Sequence, residues 1–146
     1  MLNELYNTLK EQDRFSDVFK PISKEEMKKR QKERIEDALK EGKCTLNPDG
    51  TYSCEGDVNL CYMGLTKIPV KFKEVKRSFY CFDNNLETLE GAPESVGGHF
   101  WCEHNNLISL KGAPESVGGD FYFSGNPIAD ELGVIVIKGS ELDKYR

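Results

Sequence analysis

The chain has 146 residues, 31% of them charged, and a net charge of −5, which is the size of one domain or of a small domain with an arm. An acidic balance gives no general affinity for nucleic acid or an anionic membrane, and no apolar run is long enough to span a bilayer. The opening MLNELYNTLKEQDRF lacks the basic start and apolar core of a signal peptide, and the five cysteines, without a C-x-x-C, suit reduced thiols; a cytoplasmic setting is expected.

Residues 1–22 read as an amphipathic arm. Leu2, Leu5, Tyr6 and Leu9 are spaced as one face of a helix too short to stand alone, and Phe15, Val18 and Phe19 extend the apolar content to Pro21. Such an arm packs on its own chain or grips a partner or a second copy, with Leu2, Leu5, Tyr6, Leu9, Phe15 and Phe19 as the contacts. Residues 23–42 predict a charged helix. Ser23 and Glu26 form a capping box and Gly42 ends the run, while Met27, Ile35, Ala38 and Leu39 are its sparse apolar positions. Glu25 with Lys29, Glu26 with Arg30, and Glu36 with Lys40 are expected i,i+4 pairs. The basic cluster at 28–34 is mixed with acids around the helix, which favours a solvated face over a phosphate site. In residues 43–57, CTLNPDGTYSC places Asn-Pro-Asp-Gly between two short runs, a hairpin expected to cap the next coil.

From Phe79, FYCFDNNLETLEGAPESVGG recurs from Phe100 as FWCEHNNLISLKGAPESVGG, and a shortened copy starts at Phe121, a 21-residue spacing. A degenerate copy starts at Val58, with Met63 in place of the repeat asparagine and Lys76-Arg77 in place of Gly-Gly. A period in the twenties with apolar residues at fixed phase predicts a solenoid over residues 58–128. The fold expected is mainly β with an N-terminal helix: parallel strands, capped at both ends. Residues 129–146 supply a β-branched run, Val134-Ile135-Val136-Ile137, as a closing strand, followed by a polar tail.

Strand alternation sends Phe79, Cys81, Phe100, Cys102, Phe121 and Phe123 inward, together with Asn84, Asn105 and Asn126. The amides of those asparagines are expected to satisfy backbone groups of adjoining coils. Gly91, Gly112 and the pairs Gly97-Gly98 and Gly118-Gly119 are expected to supply turn conformations, and Pro93 and Pro114 to stiffen the return path. Three columns then face outward: Asp57, Ser78, His99 and Asp120; Asn59, Tyr80, Trp101 and Tyr122; Cys61, Phe82, Glu103 and Ser124. Side-by-side aromatics carry large contact energy. The candidate partner-binding residues are therefore Tyr80, Phe82, Trp101, Glu103, Tyr122, His99 and Asp120.

The pattern F-x-C-x-x-N-x-L resembles the L-x-L-x-x-N-x-L of leucine-rich repeats. More closely, the chain is similar to the short GAPESVGGDF-type repeat proteins of bacteriophage genomes, over residues 56 to about 128. The resemblance implies a phage or prophage origin and a leucine-rich-repeat-like solenoid of parallel strands, and it implies no settled activity. One departure is a return path too short and too rich in Gly and Pro for a helix.

Ser78, His99 and Asp120 stand in the order of a nucleophile, base and orienter, but a regular ladder aims them all one way, so no catalytic residue is assigned. His99 with Asp120, and Asp83 with His104, are expected as surface ion pairs. Cys44, Cys54 and Cys61 have irregular spacing for a zinc site, so no metal or cofactor is assigned. The function expected is a non-enzymatic module binding a host or phage protein, inhibition of a host enzyme or defence factor being one form. Nucleic-acid binding through residues 28–34, Lys71, Lys73, Lys76 and Arg77 is one alternative. A structural or virion component held by the arm is the other.

Overall fold

A computed structural model describes residues 2–11 and 21–146 and divides the chain into two units, Met1–Lys32 and Glu33–Arg146. In the first unit, helix α1 spans Leu2–Glu11, with Leu2 and Leu5 exposed. The arm residues Phe15, Val18 and Phe19, and the side chains of Tyr6 and Leu9, lie outside the described residues.

Helix α2 spans Lys24–Glu41. The Ser23 hydroxyl accepts the Glu26 amide at 3.1 Å, as the capping box requires. Among the described residues Glu26 pairs with Arg30 at 3.2 Å, and the other two expected pairs do not form. The apolar positions Ile35, Ala38 and Leu39 gather in the last turns, and this is the part that joins the core. The helix ends at Gly42 as expected, but Gly42 is not the left-handed residue. Lys43, at φ 50°, is the left-handed residue that turns the chain. Gly42 is needed for another reason: a Cβ there would lie 3.0 Å from both the Asp57 carbonyl and the Val58 side chain.

The hairpin follows. Strand β1 (Cys44–Leu46) runs antiparallel to β2 (Tyr52–Cys54), and the Asn47 amide closes the turn on the Thr51 carbonyl at 2.7 Å. Cys44 and Cys54 are directly opposed on this ladder and joined as a disulfide. This corrects the expectation of five free thiols, and it withdraws the cysteine argument for a reducing compartment. It also leaves Cys44 and Cys54 without the thiolates that a zinc site would need. The thiols that remain, Cys61, Cys81 and Cys102, are all buried.

Eight parallel strands build two stacks. Strands β3 (Val58–Asn59), β5 (Phe79–Tyr80), β7 (Phe100–Trp101) and β9 (Asp120–Tyr122) pair with Val58 beside Phe79, Phe79 beside Phe100, and Phe100 beside Phe121. Coils of equal length superpose, so the 21-residue period becomes an unstaggered register. The second stack is β2, β4 (Phe72–Val75), β6 (Ser95–Val96) and β8 (Ser116–Val117), with β1 at its edge. The Ser-Val of GAPESVGG is thus a strand, where the sequence indicated only a stiff return path. A short helix α3 (Pro127–Leu132) leads into β10 (Val136–Lys138), which pairs antiparallel with β9 and closes the end. The expected polar tail is instead a 3-10 turn over Gly139–Tyr145, because Leu142, 1% exposed, is drawn into the core.

The core lies between the two stacks. Phe79, Phe100 and Phe121 stack ring on ring at 5.3 and 5.1 Å, and Cys81, Cys102, Leu86 and Leu107 are fully buried beside them. The repeat asparagines join the coils. Asn105 Nδ2 donates to the Cys81 carbonyl of the preceding coil at 3.0 Å and to Cys102 of its own at 3.1 Å, and its Oδ1 accepts the Leu86 amide. Asn84 and Asn126 repeat this arrangement one coil to either side. The residue before each asparagine is left-handed, Asp83 and His104 at φ 53° and Gly125 at 70°, and so is Tyr62, before Met63, at 56°. Gly91 and Gly112 also have positive φ, as expected. The Gly-Gly pairs do not; a Cβ on Gly97 or Gly118 would overlap the carbonyl of the coil below.

Candidate interaction face

The alternation that buries the phenylalanine column puts Tyr80, Trp101 and Tyr122 on the opposite side of the same sheet, each half-buried. Trp101 and Tyr122 stack with ring centroids 3.8 Å apart and planes within 12°, and Tyr80 lies near-parallel on the other side of Trp101 at 6.2 Å. Phe82 meets Tyr80 edge-on at 6.4 Å and Tyr62 edge-on at 5.5 Å. The indole Nε1 of Trp101 is buried and has no hydrogen-bond partner among the described residues.

Beside the rings, the outermost column serves the backbone. Asp57 Oδ1 accepts the Ser78 amide at 2.8 Å, Ser78 Oγ accepts the His99 amide at 2.9 Å, and His99 Nδ1 accepts the Asp120 amide at 2.9 Å. Each side chain is thus turned to the next coil along the stack. Ser78, His99 and Asp120 do not converge on one another, and the same bonding replaces the expected ion pair between His99 and Asp120. The Asp120 carboxylate instead accepts the Tyr122 hydroxyl at 3.3 Å; burial first, then the carboxylate's charge, raises the Tyr122 pKa.

The expected pair of Asp83 with His104 is also absent. The His104 ring packs against Gly125 in the next coil, while Asp83 hydrogen-bonds the Tyr62 hydroxyl, and that bond raises the Tyr62 pKa. Glu103 accepts the Ser124 hydroxyl at 2.5 Å. One column position is misread: Cys61 is 6% exposed. Arg34 of α2 donates to the Tyr62 carbonyl at 2.7 Å and to the Cys61 carbonyl at 3.4 Å, closing the helix over this coil. Burial pushes the Cys61 thiol up to about 12.

Of the residues singled out in the sequence, Tyr80, Phe82, Trp101, Glu103, Tyr122, His99 and Asp120 share this face. The antiparallel strand adds two more. Val136 pairs with Tyr122 and Lys138 with Asp120, so the columns continue onto β10. The β-branched run Val134-Ile135-Val136-Ile137 signalled a strand, but no repeat fixes its register, so its facing residues were not legible. A cavity of about 380 Å³ opens beside Phe82, between α2 and the first coil, with Arg34, Asp37, Glu41 and Tyr62 in its wall. Among the described residues no group of His, Cys, Asp and Glu is placed to hold a metal, and no helix is long and apolar enough to cross a membrane.

No protein-family model, curated protein or solved structure matches this chain.

Proposed function

We propose that the chain is a non-enzymatic binding module that engages a protein partner through the outward aromatic column. The observation that carries this reading is the continuous run of Tyr80, Trp101 and Tyr122 with Phe82 at its edge. Rings held by a regular ladder are ordered before contact, so little side-chain entropy is lost on binding. Aromatic anchors at the centre of a patch are where binding energy concentrates. Glu103 and Asp120 give the patch an acidic rim.

The likeness of the repeat to GAPESVGGDF-type phage proteins and to leucine-rich repeats supports a phage-encoded module acting in the host cell, inhibition of a host enzyme or defence factor being one form. A nucleic-acid reading has lost several of its cations to internal bonds: Arg30 to Glu26, Arg34 to two carbonyls, and Lys76 to Glu55 at 2.9 Å.

The test is capture from a bacterial lysate by tagged wild type, Trp101→Ala and a surface control, Lys111→Ala, with quantitative mass spectrometry. A protein retained by wild type and the control but lost with Trp101→Ala supports the reading, once its direct binding to purified protein is measured. Identical capture by all three overturns it.

A further inference from the structure

The edge of β10 carries a second surface, made of backbone groups beside the aromatic column. The Phe123 amide donates to the Ile135 carbonyl at 3.1 Å, and the Gly139 amide to the Gly119 carbonyl at 2.8 Å. With Ile137 opposite Phe121, residues 135, 137 and 139 aim their backbone groups at β9. Antiparallel alternation therefore turns the amide and carbonyl of Val136, and the amide of Lys138, away from the sheet. Among the described residues nothing bonds them. The side chains here are also open: Ile135 is 60% exposed and Val136 40%. At the other end of the same sheet, Arg34 covers the coil that follows β3.

A β-branched edge with free backbone groups, charged only at its Lys138 end, is a template for another strand. We propose that its occupant is the same strand of a second copy, paired antiparallel about a two-fold axis at Val136. The sequence suits itself in that register. Val136 exchanges both backbone bonds with the partner's Val136, and the Lys138 amide reaches the partner's Val134 carbonyl. Ile135 lies opposite the partner's Ile137, and Lys138 opposite the partner's Val134, so no like charges face each other. Such a contact is isologous and closes at two copies. It joins two five-stranded sheets into one and brings the two aromatic faces onto a single surface.

The experiment is sedimentation of the full chain from about 1 µM to about 1 mM, a span that covers weak strand-edge affinities. Wild type is expected to pass from monomer to dimer as concentration rises. Lys138→Pro is the selective variant: Lys138 already sits at φ −62°, and its amide makes no bond to β9, so the fold keeps its ladder. Loss of two reciprocal bonds should weaken association by about tenfold or more. Val136→Lys, which places like charges together at the axis, should leave monomer only while keeping the wild-type melting temperature. Wild type that stays monomeric throughout overturns the proposal. So does a dimer that neither variant weakens.

Discussion

Asn105 shows how much one buried side chain holds. Its amide serves two carbonyls and one backbone N–H in two coils, none of which can reach water. Asn105→Leu would keep the volume, strand the Leu86 N–H at about 1–3 kcal/mol, and leave the Cys81 and Cys102 carbonyls with one amide donor each, from Asn84 and Asn126. Lys111 makes only an exposed bridge to Glu90 at 3.5 Å, the kind that contributes about 0–1 kcal/mol. Urea unfolding should therefore show a much lower midpoint for Asn105→Leu than for Lys111→Ala; equal midpoints would mean that the asparagines are dispensable.

The cysteines make a second test at this scale. Burial pushes the thiols of Cys61, Cys81 and Cys102 up, and their low thiolate fraction adds to their lack of access. Native, non-reduced protein should resist maleimide at all three. Denaturation without reductant should expose these alone, because Cys44 and Cys54 are paired. Mass spectrometry reads both counts, and five labels in the denatured, non-reduced protein would mean that the hairpin is not crosslinked.

At the scale of the element, adjacent residues in β7 separate packing from binding. Phe100 is fully buried between Phe79 and Phe121, and Phe100→Ala should cost about 3–5 kcal/mol of stability. Trp101 points the other way, so Trp101→Ala should cost far less stability and remove at least about 2 kcal/mol of any partner's binding energy. Thermal melts paired with binding titrations separate the two. Similar melting temperatures for the two variants would contradict the difference in burial.

The strands of the phenylalanine column were legible because the sequence contains its own alignment: three copies fix which positions face inward, and the register follows from equal coil length. The Ser-Val strands were not, since two residues before Gly-Gly show no strand period. The face was legible for the same reason, as the complement of the buried column. Most of what was not legible occurs once. Lys43 as the turning residue, the opposed Cys44 and Cys54, Arg34 over Cys61, and Leu142 in the core each depend on a tertiary contact with no second copy to reveal it. The Gly-Gly pairs were legible as glycine but not in cause, since a steric overlap with the coil below leaves the same mark in sequence as a turn. The two histidine pairs were misjudged because His99 accepts the Asp120 amide, while Asp83 takes the Tyr62 hydroxyl and the His104 ring packs on Gly125.

For the whole molecule, the ends and the middle follow different rules. The hairpin with its disulfide finishes one end, and α3, β10 and the 3-10 turn finish the other; Arg146 donates to the Ala113 and Pro114 carbonyls there. Between them every coil offers the next the same set of partners. The asparagine bonds, the column of Ser78 and His99, and the close approach of Gly97 and Gly118 all connect like position to like position.

The asparagine ladder has a consequence for length. A coil that takes bonds from one neighbour and gives the same bonds to the other is indifferent to how many coils stand in the row. Duplicating residues 79–99 in tandem should thus be accepted as a spacer, lengthening the molecule by one strand separation, about 4.8 Å. Each added coil brings more interface than it costs in order, so the melting temperature should climb with every insertion, as in other linear arrays. Scattering would measure the added length and calorimetry the climb. Seen this way the chain is a ruler whose graduations are single genetic duplications, with both end stops unchanged.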